Sequence, residues 1–483
     1  MKRRDTMRNL SMLIDFYEIT MANSYFTHNK NEEAVFDLFF RSVPDEGGYA
    51  IMAGLEQAIQ YIQELSFTEK DIEYLKTRKL FDEGFLDYLR TFKFSCDVHA
   101  IKEGTPIFPN EPVLTVKGPI IECQLIETML LLTINHQSLI ATKTSRIVSA
   151  AKGRAVLEFG SRRAQGYDAA TFGARAAYIA GAVGSSNTIT DRDFSIPALG
   201  TMAHSYVQSF DSEYEAFTAY AQTYPNDTVL LVDTYSTLNS GVPNAIKVYQ
   251  DYLKPRGFTL KGIRIDSGDL AYLSIKAREM LDEAGLSDTK ITVSNSLDEY
   301  LIGNLVEQGA AIDAFGVGER LITSKSDSVF GGVYKLAALK HNGKLVPKMK
   351  LSDNVVKTTN PGAKKLYRLF DKDSKMAIAD VVTLEEEIID ESKPYLLFDP
   401  NFPWKNKEVT NFSAVSLLEP IFVKGQLVYQ KPSLKEIKAY HETQISTLWA
   451  EVKRFENPHP YYVDLSRKLW DLKQDLIEQY SKN

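Results

Sequence analysis

From about residue 153 to residue 336, apolar segments of strand length recur, and most of them end in Gly, Asp, Ser or Asn. They are Ala155–Phe159, Ala180–Val183, Thr228–Val232, Gly262–Ile265, Lys290–Val293 and Ala311–Phe315. Helix-like stretches such as Tyr272–Glu283 and Asp298–Glu307 lie between them. The later strand ends, Asp233, Asp266, Asn295 and Gly318, follow one another at intervals of 33, 29 and 23 residues. Such an interval holds one strand and one returning helix, so the pattern predicts a parallel sheet or barrel. In a barrel of this kind the strand C-termini and the loops after them form the active face. The polar residues that close these segments are therefore expected on one rim.

The flanks have a different texture. Residues 12–30, 54–65, 69–78 and about 121–150 are helical in pattern, and 35–40 reads as a strand. Residues 94–118 read as a small antiparallel unit of short strands broken by Gly104, Pro106, Pro109 and Gly118. Beyond about 340 the pattern loosens into a Lys-rich stretch, then a β-rich tail, then amphipathic helices from Ser433 onward. At 483 residues the chain is too long for one ordinary core. A net charge of −7 gives no electrostatic footprint for nucleic acid. Two cysteines, Cys96 and Cys123, do not suggest a disulfide framework or a four-ligand zinc site, so a reducing compartment fits best. The basic start of the chain lacks a clean apolar stretch, and Leu125–Ile140 is too short and polar to span a bilayer. A cytoplasmic protein is expected.

The strand ends carry the chemistry. In Glu158-Phe159-Gly160-Ser161-Arg162-Arg163, two arginines either clamp a carboxylate or phosphate or simply stand exposed. Phe159 is either a stacking face for a flat ring or a core residue. Gly184-Ser185-Ser186-Asn187-Thr188 suits a turn that donates hydrogen bonds to an anion, or a plain polar loop. Arg264 should point to the same side of its strand as Asp266 in IRIDSGD. The carboxylates of Asp266 and Asp269 there can take ribose hydroxyls or hold magnesium, Gly268 lets the chain turn, and either Asp or Ser267 can instead simply cap the next helix. Asn295 in VSN and Gly316 and Gly318 in FGVG close the series, the last looking like a phosphate cradle. His204 follows the small-residue turn Gly200-Thr201-Met202-Ala203 and is either a structural histidine or a reactive one. The chain has no P-loop, no G-x-S-x-G and no H-E-x-x-H.

Together EFGSRRAQG (158–166), GSSNT (184–188), GTMAHS (200–205), LVDTYST (231–237), IRIDSGDL (263–270), VSN (293–295), FGVG (315–318) and GGVYKLA (331–337) strongly resemble the nicotinate phosphoribosyltransferase family, a type II phosphoribosyltransferase group. DFYEITMANSY (15–25) matches as well. The resemblance implies an α/β fold: an irregular, incomplete α/β barrel beside an α/β domain built from both chain ends. The boundaries it suggests are 1–140, completed by part of 340–483, then 141–340 for the catalytic barrel, with 341–483 packing on both.

It also implies the reaction. Nicotinate and 5-phosphoribosyl 1-pyrophosphate become nicotinate mononucleotide and pyrophosphate, in NAD salvage. This is a ligase-type transfer coupled to ATP hydrolysis through a phosphohistidine, with Mg2+ as cofactor. By the resemblance, His204 is the phosphohistidine and Asp233 the carboxylate that holds one of its ring nitrogens. Phe159 and Tyr17, the latter from a partner subunit in a homodimer, sandwich the nicotinate ring, with Arg162, Arg264 and Thr201 around it. Arg162, Asp266, Ser267, Gly268, Asn295, Gly316 and Gly318 would take the phosphoribosyl pyrophosphate. Glu319, where relatives often carry small hydroxyl residues, stays unassigned, as do the metal ligands.

Two alternatives remain. A nicotinamide-specific phosphoribosyltransferase resembles the same frame but places an Asp where Asn187 stands, and Asn avoids repelling nicotinate's carboxylate. A non-catalytic nucleotide-binding barrel is the alternative from another class. A quinolinate-type enzyme does not resemble the GTMAHS motif.

Overall fold

The computed structural model describes residues 9–351 and 358–482. The basic residues Lys2, Arg3 and Arg4, and residues 352–357 of the Lys-rich stretch, lie outside the described residues. The chain divides into two compact units, one of residues 1–139 and 329–483, the other of residues 140–328.

The unit built from both chain ends is organised on a seven-stranded sheet. One of its inner strands, Glu33–Phe39, pairs antiparallel with the central strand Leu114–Pro119 on one side and with Val333–His341 on the other. The second pairing joins residues some 300 positions apart, which no local pattern announces. GGVYKLA thus enters this sheet rather than the barrel. The strands expected within 94–118 are not a separate small unit either: Asp97–Ala100 and Leu114–Pro119 extend the same sheet. A second sheet, of four strands, carries Lys364–Asp371 and Ala377–Leu384 at its centre. Leu369, Ala379, Val381 and Phe412 pack as one of its apolar clusters.

The other unit is a curled parallel sheet of six strands, an incomplete α/β barrel. We number its strands β1 (Ala155–Glu158), β2 (Gly184–Ser185), β3 (Val229–Leu231), β4 (Gly262–Ile265), β5 (Lys290–Ser294) and β6 (Ala314–Val317). Their spatial order is β2-β1-β6-β5-β4-β3, and every neighbouring pair is parallel. Val156, Leu230, Ile263, Ile265, Ile291, Val293, Phe315 and Val317 are buried, as expected of parallel strands covered on both faces. Because all six run one way, their C-terminal ends share one rim.

Two strands differ from the sequence expectation. Ala180–Val183 is not a strand: Ala180 caps the helix Tyr167–Ile179, Gly181 turns the chain at φ +112°, and β2 begins at Gly184. The apolar run there packs the end of a helix. The sixth strand starts at Ala314 rather than Ala311, because Gly309 closes the preceding helix and the Asp313 carboxylate accepts the Ile291 N–H at 2.9 Å. Phe315, Gly316 and Val317 are consequently inside β6, and only Gly318 lies beyond it.

Candidate active site

The rim assembles from the strand ends upward. Beyond β3 the chain gives Asp233 and Thr234, then enters a π-helical turn, Thr237–Gly241. Gly241 is indispensable to that turn, since a Cβ there would lie 1.8 Å from the Val232 carbonyl oxygen. The turn thus lies directly against the strand end that presents Asp233. One oxygen of Asp233, Oδ2, accepts the Asp266 N–H at 2.9 Å and the Ser267 hydroxyl at 2.6 Å, which locks β3 to β4 at the rim. The other oxygen, Oδ1, is buried and has no hydrogen-bond partner.

His204 opens the short helix His204–Gln208 with its side chain 40% exposed. Its Nε2 stands 4.0 Å from Asp233 Oδ1 and 3.8 Å from Asp266 Oδ2. Its Nδ1 lies 3.2 Å from the Thr234 hydroxyl. The hydrogen bond expected between His204 and Asp233 is therefore not made. Asp233 is clamped by Asp266 and Ser267, and the ring takes the neighbouring hydroxyl instead. Thr234 is a site residue that the sequence motifs do not single out, although a hydroxyl directly after the candidate carboxylate is a signal.

A second cluster stands on β4, β5 and β6. Arg264 and Asp266 do share a side: Nη2 of Arg264 donates to Asp266 Oδ1 at 2.9 Å, and its Nε donates to Ser294 Oγ at 2.9 Å. Ser294 in turn donates to Asp266 Oδ1. The Arg264 guanidinium lies 5.6 Å from the centroid of the Phe159 ring. A Cβ on Gly316 would come within 2.6 Å of that ring, so this glycine makes room for Phe159. Gly318 approaches the backbone of the same residue, with a would-be Cβ 3.2 Å from the Phe159 carbonyl oxygen. The sequence pattern suggests a phosphate cradle for these two glycines; within the chain itself, their lack of side chains serves Phe159.

The remaining candidates spread along the rim. Ser267 and Gly268 are exposed, Gly268 at φ +84°, while Asp269 caps the next helix by accepting the Tyr272 N–H. Asn295 and Ser296 follow β5 at φ +113° and +45°, a strained pair of the kind that clusters at ligand clamps. Thr201 holds a buried hydroxyl without a partner. Arg162 is exposed on the turn Ser161–Arg163. Glu319 is engaged: Lys325 meets it at 2.7 Å and Arg163 at 3.9 Å, and Lys325 holds its carboxyl below the usual range. Tyr17 belongs to the other unit, on the helix Phe16–Thr27, where it is 46% exposed and burial pushes its hydroxyl up.

The arrangement joins an accessible imidazole, two carboxylates, a fixed guanidinium and an aromatic face on one rim. The chemistry of that set is complementary to a flat anionic ring and to a polyhydroxylated, phosphorylated partner. Models of three nicotinate phosphoribosyltransferase (NAPRTase) segments match in order: the N-terminal domain over residues 12–135, the family over 155–381 and the C-terminal domain over 363–473. A nicotinate phosphoribosyltransferase of Bacillus subtilis is 46% identical over 472 residues, covering 98% of this chain and 96% of that one. The chain belongs to the nicotinate phosphoribosyltransferase family. The crystal structure of human nicotinic acid phosphoribosyltransferase superposes with a TM-score of 0.85 at 30% identity, covering 96% of this chain and all of that one. A nicotinate-nucleotide pyrophosphorylase from Pyrococcus furiosus shares the fold, with a TM-score of 0.70 at 23% identity over 92% of this chain and 99% of that one. Among the described residues no helix is long and apolar enough to cross a membrane.

Proposed function

We propose that this chain transfers the phosphoribosyl group of 5-phosphoribosyl 1-pyrophosphate to nicotinate, releasing pyrophosphate, and couples the transfer to ATP hydrolysis through phosphorylated His204. The reaction would bring nicotinate into NAD synthesis in the cytoplasm, in a homodimer to which Tyr17 of a second copy contributes. The observation that carries this reading is the His204 imidazole, exposed at the rim with its Nε2 4.0 Å or less from oxygens of both Asp233 and Asp266.

The pyridine nitrogen attacks the anomeric carbon as the pyrophosphate leaves, through an oxocarbenium-like transition state. Such a step needs positioning and charge neutralisation more than a strong base. Phe159 supports one face of the ring. Arg264, with Nε and Nη2 already committed, keeps Nη1 for the substrate's carboxylate or a phosphate. Asp266 accepts ribose hydroxyls, and Asn295, Gly316 and Gly318 line the phosphoribosyl path. With Nδ1–H donating to the Thr234 hydroxyl oxygen, the imidazole keeps the Nε2 lone pair as the nucleophile for phosphate.

Mg2+ fits the residues present. Asp233 Oδ1 is a buried hard oxygen without a partner, and Asp266 Oδ2 lies beside the same ring nitrogen. No cluster of three or more metal-ligating side chains occurs among the described residues, and Asp233 and Asp266 are the side chains that would hold the ion. The ion supplies neutralisation of the departing pyrophosphate.

Replacing His204 with Ala tests the assignment. The variant should lose nicotinate-dependent ATP cleavage and acid-labile phosphorylation yet keep a slow, ATP-independent transfer. If ATP still lowered the nicotinate KM in that variant, His204 would not be the coupling residue. Parallel assays with nicotinate and nicotinamide test the substrate, and a preference for nicotinamide would overturn this reading.

A further inference from the structure

We infer that Glu158 is the positioning residue of the pyridine pocket: one buried carboxylate ties the turn carrying Phe159 to the turn carrying Asn187. The inference rests on the proposed reading that nicotinate lies against Phe159.

Glu158 ends β1 and is fully buried. Its Oε1 accepts the Gly160 N–H, which pins the turn immediately after Phe159. Its Oε2 accepts the Ser185 hydroxyl at 2.6 Å, and its main-chain carbonyl accepts the Ser186 N–H at 2.9 Å. Ser185 relays the connection, because its Oγ accepts the Asn187 N–H at 3.0 Å. Asn187 then caps the helix Thr188–Phe194 by accepting the Ile189 N–H at 3.1 Å through Oδ1. That bond commits the amide oxygen to the helix and leaves the amide NH2 as the donating end. An NH2 donor suits a carboxylate on the substrate better than it suits an amide nitrogen.

Two features argue that this joint serves position rather than stability. Strand β2 has only two residues, Gly184 and Ser185, so its hold on β1 is short: the Val183 N–H on the Val156 carbonyl and the Ser186 N–H on the Glu158 carbonyl. The backbone of Ser185 itself bonds to Pro197 and Leu199 on the far side. A buried carboxylate is also costly, and among the described residues no Lys or Arg forms an ion pair with it. Burial pushes its carboxyl upward, and only the Ser185 and Gly160 donors counteract that. An apolar residue would be cheaper at a position meant only to fill space. The site is also sterically closed around Gly160, where a Cβ would lie 2.5 Å from Ile322.

The experiment varies nicotinate and 5-phosphoribosyl 1-pyrophosphate separately for Glu158→Ala, Glu158→Gln and Ser185→Ala. Gln can accept from Gly160 through its carbonyl and donate to Ser185 through its NH2. Glu158→Ala should raise the nicotinate KM about tenfold, matching the loss of one or two buried hydrogen bonds, with a smaller rise for the phosphoribosyl donor. Glu158→Gln should restore the nicotinate KM to within about threefold of the parent, and Ser185→Ala should fall between. Ser185→Ala, which removes a single hydroxyl, keeps the test open if Glu158→Ala does not fold. Equal rises in both KM values, no rise in Ser185→Ala, or a Gln variant as impaired as Ala would each overturn the inference. Failure of the parent enzyme to use nicotinate at all would overturn the proposed function instead.

Discussion

Asp233 at the barrel rim and Asp380 in the end-built unit are both buried aspartates, and their surroundings are opposite in kind. Asp380 uses both oxygens: Oδ1 accepts Arg368 Nε–H at 2.8 Å and the Tyr461 hydroxyl at 2.9 Å, and Oδ2 accepts Arg368 Nη2–H at 2.6 Å. Neither Asp380 nor Arg368 is exposed at all. Glu111 lies beside them, and burial together with the Asp380 charge pushes its carboxyl well above the usual range. Asp233 uses one oxygen and leaves the other buried and unpaired beside an accessible histidine. A fully used buried carboxylate holds a fold together, whereas a half-used one beside an open imidazole holds binding capacity in reserve.

That contrast predicts which property each residue controls. Asp380→Ala should cost about 3–5 kcal/mol of stability, because it strands the buried Arg368 guanidinium, and urea denaturation would read it. Catalysis per folded molecule should be preserved. Asp233→Asn should do the reverse, lowering kcat/KM about 100-fold while leaving stability within about 1 kcal/mol. A stable Asp380→Ala variant or an active Asp233→Asn variant would break the comparison.

The sequence disclosed the rim better than it disclosed the bonds across it. Asp233, Asp266 and Asn295 were legible because apolar runs that end in polar residues at βα spacing mark the C-terminal edge of a parallel sheet. Arg264 and Asp266 followed from the two-residue strand period. Ala180–Val183 misled because an apolar segment that packs a helix end has the composition of a strand. The roles of Glu158, Ser185 and Thr234 were hidden for another reason: their partners are fixed by which strands adjoin, and the order β2-β1-β6-β5-β4-β3 is a tertiary fact. The Gly316–Phe159 fit was equally hidden, since a glycine inside a strand can serve a turn, a ligand or a neighbouring ring. The pairing of Glu33–Phe39 with Val333–His341 lay beyond any local pattern.

Gly316→Ala sharpens the comparison inside the rim. The new Cβ would lie 2.6 Å from Phe159, so the ring must move. Overpacking of this kind costs about 1–3 kcal/mol. If the Phe159 face supports nicotinate, most of that cost should appear as a raised nicotinate KM. A loss of thermal stability alone would place Phe159 with Asp380 among the structural groups.

The smallest effect comes from Glu18, which shares the mark of Asp233 while sitting in the unit of Asp380. It is fully buried, its Oε1 accepts the Thr128 hydroxyl at 2.6 Å, and its Oε2 has no partner. Burial pushes its carboxyl up to about 7 from an ordinary value of 4.5. The folded state therefore binds this proton more tightly than the unfolded chain does. Its contribution to stability is complete below about pH 4.5 and is lost as pH rises through about 7. The urea midpoint should fall across that window, and Glu18→Gln, which carries its hydrogens at every pH, should flatten the slope. An unaltered slope in the variant would mean that the unpaired oxygen of Glu18 bears charge in the folded state. Glu18 would then resemble Asp233, and an orphaned oxygen could no longer separate the two regions without an exposed histidine beside it.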